Sequence, residues 1–311
     1  MSRDALIFYS EFDDPKAWEA TLTGELPDLD FHTDPQDVDP ANVHYALAWK
    51  PPPGFFARFP NLKLVTNLGA GVDSLVGRSD LPDVPISRLS DTGMVSLMTS
   101  YVLFAAIRHA RDIPIFERAQ RRSEWHYVHP RPLSDINVGV LGLGELGTPA
   151  ARALAAIGFD VRGWSRSLKQ IDGVTCSAGP ETLDAFMSGT EILIVLLPLT
   201  SETRGLLDAQ RLSLLPWGAK LINASRGAVV EEPALIAALN SGQIAEATLD
   251  VFTVEPLPKE HVFWGMDNVL ITPHLASITV PEVAAREVAE SIRRVRRGLP
   301  PLHRIDPGRG Y

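Results

Sequence analysis

The sequence predicts an α/β protein of two domains, and three observations carry that prediction. Short aliphatic runs alternate with helical segments along nearly the whole chain. At 311 residues the chain is long for one core and comfortable for two. A glycine turn, GLGELG at residues 142–147, stands between a strand-like run and an amphipathic helix. Together these point to two Rossmann-like domains, one a doubly wound parallel sheet and the other a smaller, flavodoxin-like domain.

Composition narrows the classes of function. Apolar residues at 45% and charged residues at 22% are ordinary for a globular protein and argue against disorder. A net charge of −9 argues against a general nucleic-acid surface, so any anion site must be local. Cys176 is the single cysteine, which excludes an intramolecular disulfide and a cysteine metal cluster and suits a reducing compartment. No metal site is expected. The amino terminus turns acidic at once and lacks a signal-peptide core, and the longest aliphatic run, residues 192–197, is too short for a bilayer. The expectation is a cytoplasmic protein without membrane contact.

Residues 6–8, 45–49 and 63–66 read as short buried strands. PPPG at 51–54 closes one unit, and LGAGVD at 68–73 follows a strand. That stretch reads equally well as a structural turn or as the opening of a helix whose N–H groups cup an anion. Residues 94–121 predict one long amphipathic helix, with Leu97, Tyr101, Phe104, Ala105 and Arg108 at helical spacing. This segment reads as a crossing between domains.

Residues 136–167 read as strand, glycine turn, helix and strand. In a dinucleotide site of this kind Gly142 allows the turn, Gly144 lets the backbone approach a pyrophosphate, and Gly147 lets helix and strand pack closely. The helix behind presents free N–H groups to the phosphates, and Gly158 stops it. An NAD site would carry Asp or Glu about 20 residues on, but Ser165, Arg166 and Ser167 stand there instead. A guanidinium and two hydroxyls suit a 2′-phosphate, which predicts NADP(H) in preference, with NAD(H) as the alternative. The site is expected to take in Glu145 and Leu146 of the loop, Leu197, Pro198 and Thr203 after the next strand, and Ala224 and Ser225 further on.

Beyond residue 167 the nucleotide fold continues, with strands at 191–197, 219–223, 247–251 and 268–272 and helices at 201–215 and 232–241. The last helix starts near Pro281 and ends in Arg293, Arg294, Arg296 and Arg297, which complement its dipole. The tail PPLHRIDPGRGY is expected to fold back on the amino-terminal domain. Arg226, Glu255 and His274 stand at three successive strand ends, where ligands of such sheets bind. Histidine is the natural proton donor near neutral pH, a neighbouring glutamate keeps it protonated and fixes its ring, and arginine holds a carboxylate and polarises a carbonyl. That set suits reduction of a 2-keto acid.

The motifs LGLGELG, NASRGAVVEEPALIAAL, ATLDVFTVEPLP and NVLITPHLAS resemble the D-2-hydroxyacid dehydrogenases over nearly the whole chain. ALAWKPP, LGAGVDS, SDTGM, GWSRS and the terminal RGY resemble the glyoxylate/hydroxypyruvate reductase A branch. The resemblance implies that His274 is the acid/base, Glu255 its partner and Arg226 the substrate carboxylate and carbonyl contact. It implies further that Ala70 and Gly71 offer backbone groups to that carboxylate beside Leu68 and Gly69, that Trp49 walls the pocket, and that Asp250 lies near the carboxamide. A split substrate domain at 1–95 plus 279–311 with the dinucleotide domain at 96–278, a homodimer, and a small 2-keto or 2-hydroxy acid substrate follow in the same way. The family's frequent acidic residue after the second strand is absent, in agreement with the Arg166 reading. The alternatives are a dehydrogenase of the family with a different substrate, or a dinucleotide-sensing protein resembling corepressors. No regulatory amino-acid-binding domain is expected after the last helix.

Overall fold

The computed structural model describes residues 4–306. They form two compact units, one from the amino-terminal part up to Met94 together with Ile278 onward, the other Val95–Ser277. In the first unit β1 (Asp4–Tyr9) leads to α1 (Pro15–Glu25) and β2 (Leu29–His32), then β3 (Val43–Ala48), β4 (Leu64–Asn67) and β5 (Ile86–Ser87). These five strands are parallel in the order β2-β1-β3-β4-β5, the flavodoxin order. Asp14 starts α1 by accepting from the Lys16 N–H, with Pro15 in the first turn, and the helix buries Trp18 and Leu22.

The second unit begins with α2 (Thr92–Ala110, its first turn shared with the first unit) and α3 (Ile113–Arg121). Then follow β6 (Asn137–Leu141), α4 (Gly147–Ala156), β7 (Asp160–Ser165), β8 (Val174–Ala178), α5 (Leu183–Ser188) and β9 (Ile192–Val195). It ends with α6 (Ala209–Leu214), β10 (Ala219–Asn223), α7 (Glu232–Ser241), β11 (Ile244–Leu249) and β12 (Val269–Ile271). The sheet order β12-β11-β10-β9-β6-β7-β8 is doubly wound, reversing between β6 and β9. Both faces are covered, because alternate side chains enter different cores. Val138, Val140, Ile192, Ile194 and Ile222 pack on one face, and Leu141, Leu193, Val195 and Leu221 on the other. The chain returns to the first unit with α8 (Pro281–Arg296), where Arg293 pairs with Glu25 of α1 at 2.8 Å. The tail then lies beside β5: the Ile305 N–H donates to the Ile86 carbonyl at 2.8 Å, and Ile305 is buried. The terminal RGY lies outside the described residues.

Four expectations need correction. LGAGVD opens no helix: Asn67 Nδ2 donates to the carbonyls of Gly69 and Gly71 at 3.0 and 2.7 Å, and these closures hold the chain in a turn. The single helix over 94–121 is two, broken where Asp112 takes a left-handed conformation (φ 54°) ahead of Pro114. Of its expected apolar face, Tyr101 and Ala105 are buried but Phe104 is 53% exposed. Of 201–215 only α6 is helical, started by Asp208 accepting from the Arg211 N–H. The strand placed at 247–251 runs Ile244–Leu249. Strands β2, β5 and β8 carried no clear signal, being short or built of half-exposed residues. Among the described residues no helix is long and apolar enough to cross a membrane, and no cluster of His, Cys, Asp or Glu could hold a metal.

Candidate active site

The glycine loop follows β6, beside the reversal of strand order. Each glycine meets a different constraint. Gly142 has φ 112°, and a Cβ there would meet the Leu196 carbonyl at 2.7 Å. A Cβ on Gly147 would overlap the Gly142 carbonyl, so α4 can start this close to the strand only with glycine. A Cβ on Gly144 would meet nothing within 4 Å. No packing demands a glycine there. The open, exposed backbone beside the start of α4 fits a pyrophosphate, and Glu145 and Leu146 lie on the same stretch.

At the end of β7, Ser165 is buried and its hydroxyl donates to the Ser167 carbonyl at 2.8 Å, which folds the turn. Arg166 and Ser167 are exposed on that turn. Beyond β9, Leu197 is buried and Pro198 exposed, and the Thr203 hydroxyl donates to the Pro198 carbonyl at 2.6 Å. Thr203 therefore shapes this loop.

The catalytic candidates follow three neighbouring strands: Arg226 after β10, Glu255 after β11 and His274 after β12. Asn223, the buried last residue of β10, accepts through Oδ1 from the N–H and hydroxyl of Ser225 at 3.1 and 3.0 Å and donates through Nδ2 to the Arg226 carbonyl at 3.1 Å. This folds Ala224, Ser225 and Arg226 tightly over the strand end. Ala224 and Ser225 are buried there, while Arg226 is half-buried and donates to the Ser225 carbonyl at 2.7 Å.

His274 Nδ1 lies 2.8 Å from Glu255 Oε2, with the two side chains 31% and 22% exposed. The carboxylate can only accept, so Nδ1 carries the hydrogen and Nε2 is the ring atom left to serve a reactant. The other carboxylate oxygen, Oε1, accepts from the Phe252 N–H at 3.1 Å. His274 itself is left-handed, φ 54°, a conformation that costs of order 1 kcal/mol in a non-glycine residue and collects at functional sites. Asp250 holds it there. The Asp250 carbonyl accepts from the His274 N–H at 2.9 Å, and its buried carboxylate accepts from the N–H groups of Leu275 and Ala276, each at 2.9 Å, and from the Thr272 hydroxyl at 2.6 Å. Through these four bonds Asp250 acts as a positioning residue that builds the turn carrying the histidine.

Three residues that support the site were not singled out from the sequence. Asn223 stood inside a quoted motif but not among the candidates. Thr272 gives its proton to Asp250, so it must accept from Tyr101, whose hydroxyl is 2.7 Å away. Burial pushes the Tyr101 phenol up to about 12, against the Thr272 hydrogen bond, so it remains a donor across the neutral range. Nothing in the spacing of an apolar helix marks Tyr101 for this contact.

In the first unit the expected substrate residues gather around one turn. Leu68 and Gly69 are buried, Ala70 and Gly71 half-buried, and the Trp49 ring lies on Gly69 so closely that a Cβ there would meet it at 2.8 Å. The Leu68 carbonyl accepts from the Thr279 hydroxyl at 2.6 Å, and the Ala70 carbonyl from Arg88 at 3.2 Å. These bonds occupy carbonyls of the turn.

The model of the D-isomer specific 2-hydroxyacid dehydrogenase NAD binding domain matches residues 103–276, and the chain belongs to that family of dehydrogenases. Within the family it falls in the glyoxylate/hydroxypyruvate reductase A branch. The reductase of that name from Yersinia enterocolitica is 43% identical over 313 aligned positions, covering 98% of this chain and 99% of that one. Among solved structures, a D-isomer specific 2-hydroxyacid dehydrogenase from Xanthobacter autotrophicus Py2, in complex with NADPH and MES, is 60% identical with a TM-score of 0.96, covering 99% of this chain and all (100%) of that one. The NADPH-dependent glyoxylate/hydroxypyruvate reductase from Sinorhizobium meliloti, in complex with NADP and sulfate, is 38% identical with a TM-score of 0.93 at 99% and 100% coverage.

Proposed function

We propose that this protein reduces small 2-keto acids of the glyoxylate and hydroxypyruvate class with NADPH. The observation that carries the reading is the His274–Glu255 pair, in which a carboxylate 2.8 Å from Nδ1 orients the ring and leaves Nε2 to serve the reactant. When bound, the reduced nicotinamide supplies the hydride. The chain's own residues do the rest: His274 Nε2 gives a proton to the carbonyl oxygen, and Arg226 holds the substrate carboxylate. The open backbone at Gly144 takes the pyrophosphate, while Arg166 with Ser167 takes the 2′-phosphate; the one hydroxyl proton of Ser165 is already given to the Ser167 carbonyl.

The relatives found with NADPH or NADP support the cofactor, as does the absence of a carboxylate at residues 165–167. We assign the turn at 68–71 and Trp49 to the substrate, the second unit to the dinucleotide, and the working form to a cytoplasmic homodimer. The test is nicotinamide absorbance with a panel of 2-keto acids, using NADPH and NADH, in wild type and Arg166→Ala. Turnover of glyoxylate or hydroxypyruvate with a preference for NADPH is expected. Removing one charge-assisted contact at an exposed site should raise the NADPH KM about tenfold and leave the NADH KM unchanged. A wild type that uses both cofactors equally removes the argument from Arg166, and one that reduces no 2-keto acid removes the function.

A further inference from the structure

Behind the His274–Glu255 pair stands a second histidine–carboxylate pair for which the chemistry has no use. His261 Nε2 lies 3.0 Å from Glu232 Oε1, and His261 Nδ1 accepts from the Phe263 N–H at 3.3 Å. The ring hydrogen is therefore on Nε2 and is donated to Glu232. The His261 ring centroid is 4.7 Å from that of Phe263, and Phe263 is 6.3 Å from Phe252, both phenylalanines being buried. Phe252 in turn gives its N–H to Glu255. Contacts run unbroken from Glu232 to the carboxylate that orients His274.

The same two segments meet at a second point. A Cβ on Gly227 would overlap the backbone of Phe252 and Thr253, so the residue next to Arg226 is pressed directly on the loop that carries Glu255. The stretch 226–232 is thus fastened to 252–263 at both ends, by the backbone at Gly227 and by side chains at Glu232. A contact at one point leaves a hinge; two contacts fix the spacing between the segments.

We propose that Glu232 and His261 are positioning residues that set the distance of Arg226 from the Glu255–His274 pair, an inference that rests on the reductase reading. Hydride and proton delivery to one carbonyl demands that its carboxylate anchor and its acid stay in register, and small displacements of such groups cost up to about 10²-fold.

The experiment is steady-state kinetics of the full chain with the 2-keto acid that the wild type reduces best, alongside NADPH affinity from fluorescence. His261→Ala should lower kcat about tenfold and raise the keto-acid KM several-fold, with NADPH affinity within about twofold of wild type. His261→Gln, which can still donate to Glu232 and accept from Phe263, should recover to within about threefold of wild type. In a Glu255→Gln background His261→Ala should cost less than about twofold, because its effect passes through Glu255. Equal losses in both backgrounds, a Gln variant no better than Ala, or a loss confined to NADPH affinity overturns the proposal. If His261→Ala does not fold, Glu232→Ala against Glu232→Gln gives the same comparison. A wild type inactive on every keto acid defeats the reductase reading and not this one, which is then judged by the proton resonance of the His274 Nδ1–H. Its loss in His261→Ala supports the positioning role, and an unchanged resonance overturns it.

Discussion

The two ends of the seven-stranded sheet use the same residue types to opposite effect. At the carboxyl ends of β11 and β12, His274 meets Glu255 with both side chains partly exposed, on a turn held in a left-handed conformation. Near the amino ends, His109 is 1% exposed and lines a cleft of about 170 Å³ with Arg118, Lys220 and Glu246. The His109 Nε2 reaches to the Thr248 hydroxyl, in the carboxyl half of β11, at 2.9 Å, and Arg118 closes on Glu246 at 2.5 Å. One end keeps a ring nitrogen for a reactant and accepts backbone strain to do so. The other buries its histidine, whose Nδ1 has no hydrogen-bond partner, and spends the Arg118 charge on Glu246. A histidine near a carboxylate is therefore no sign of catalysis by itself; what separates the two is that the His274 ring is partly exposed and bonded to its carboxylate, while the His109 ring is buried and bonded to a hydroxyl.

Substitutions can break that contrast, and the largest effect is expected at His274. His274→Ala should lower turnover about 10²-fold or more, the usual scale for general acid catalysis, while the melting temperature moves only by the few degrees that about 1 kcal/mol produces. Near-normal turnover would show that the exposed pair is ornamental and the contrast empty. Asp250→Asn should fall between the two regions. Its amide can no longer accept from all the donors of Thr272, Leu275 and Ala276, leaving a buried N–H unsatisfied at about 1–3 kcal/mol. Denaturant midpoint and kcat should drop together; a fall in one alone would mean that the turn and the histidine are not mechanically joined.

This contrast also marks what the sequence could disclose. The glycine loop was readable because each glycine answers a local demand, a positive φ or a close approach, that no other residue meets. Arg226, Glu255 and His274 were readable because parallel strands deliver their carboxyl ends to one edge whatever their separation along the chain. Long-range side-chain contacts were not. Tyr101 reaches Thr272 across 171 positions, and His109 reaches Thr248 across 139; apolar periodicity says that both positions of α2 face inward, not what they touch. Local backbone choices escaped for a different reason. Asp112 breaks α2 from α3 through a left-handed φ, which an aspartate can adopt at modest cost but does not announce. The turn at 68–73 closed through Asn67, whose two bonds outweigh the helix start that its glycines permit.

The smallest and most diagnostic effect belongs to His109. Burial, with the charges of Arg108 and Lys220, drives its pKa down to about 3, from an ordinary value of 6.5. The folded state therefore holds His109 neutral where the unfolded chain takes up a proton. Its contribution is complete above about pH 6.5 and is lost as pH falls toward 3, at up to about 1.4 kcal/mol per unit from this one group. Glu246 works against it over part of the range, since burial raises its carboxyl in spite of Arg118, so that the folded state holds its proton longer than the unfolded chain does. Asp112 and Arg118 also face the cleft, and salt should change the balance only weakly because the cluster is buried. Urea unfolding between pH 5 and 7 should show stability rising with pH in wild type, and a flatter profile in His109→Gln, whose amide can still bond Thr248. Identical slopes in the two proteins would mean that the cleft admits water freely and that His109 titrates as it does in the unfolded chain.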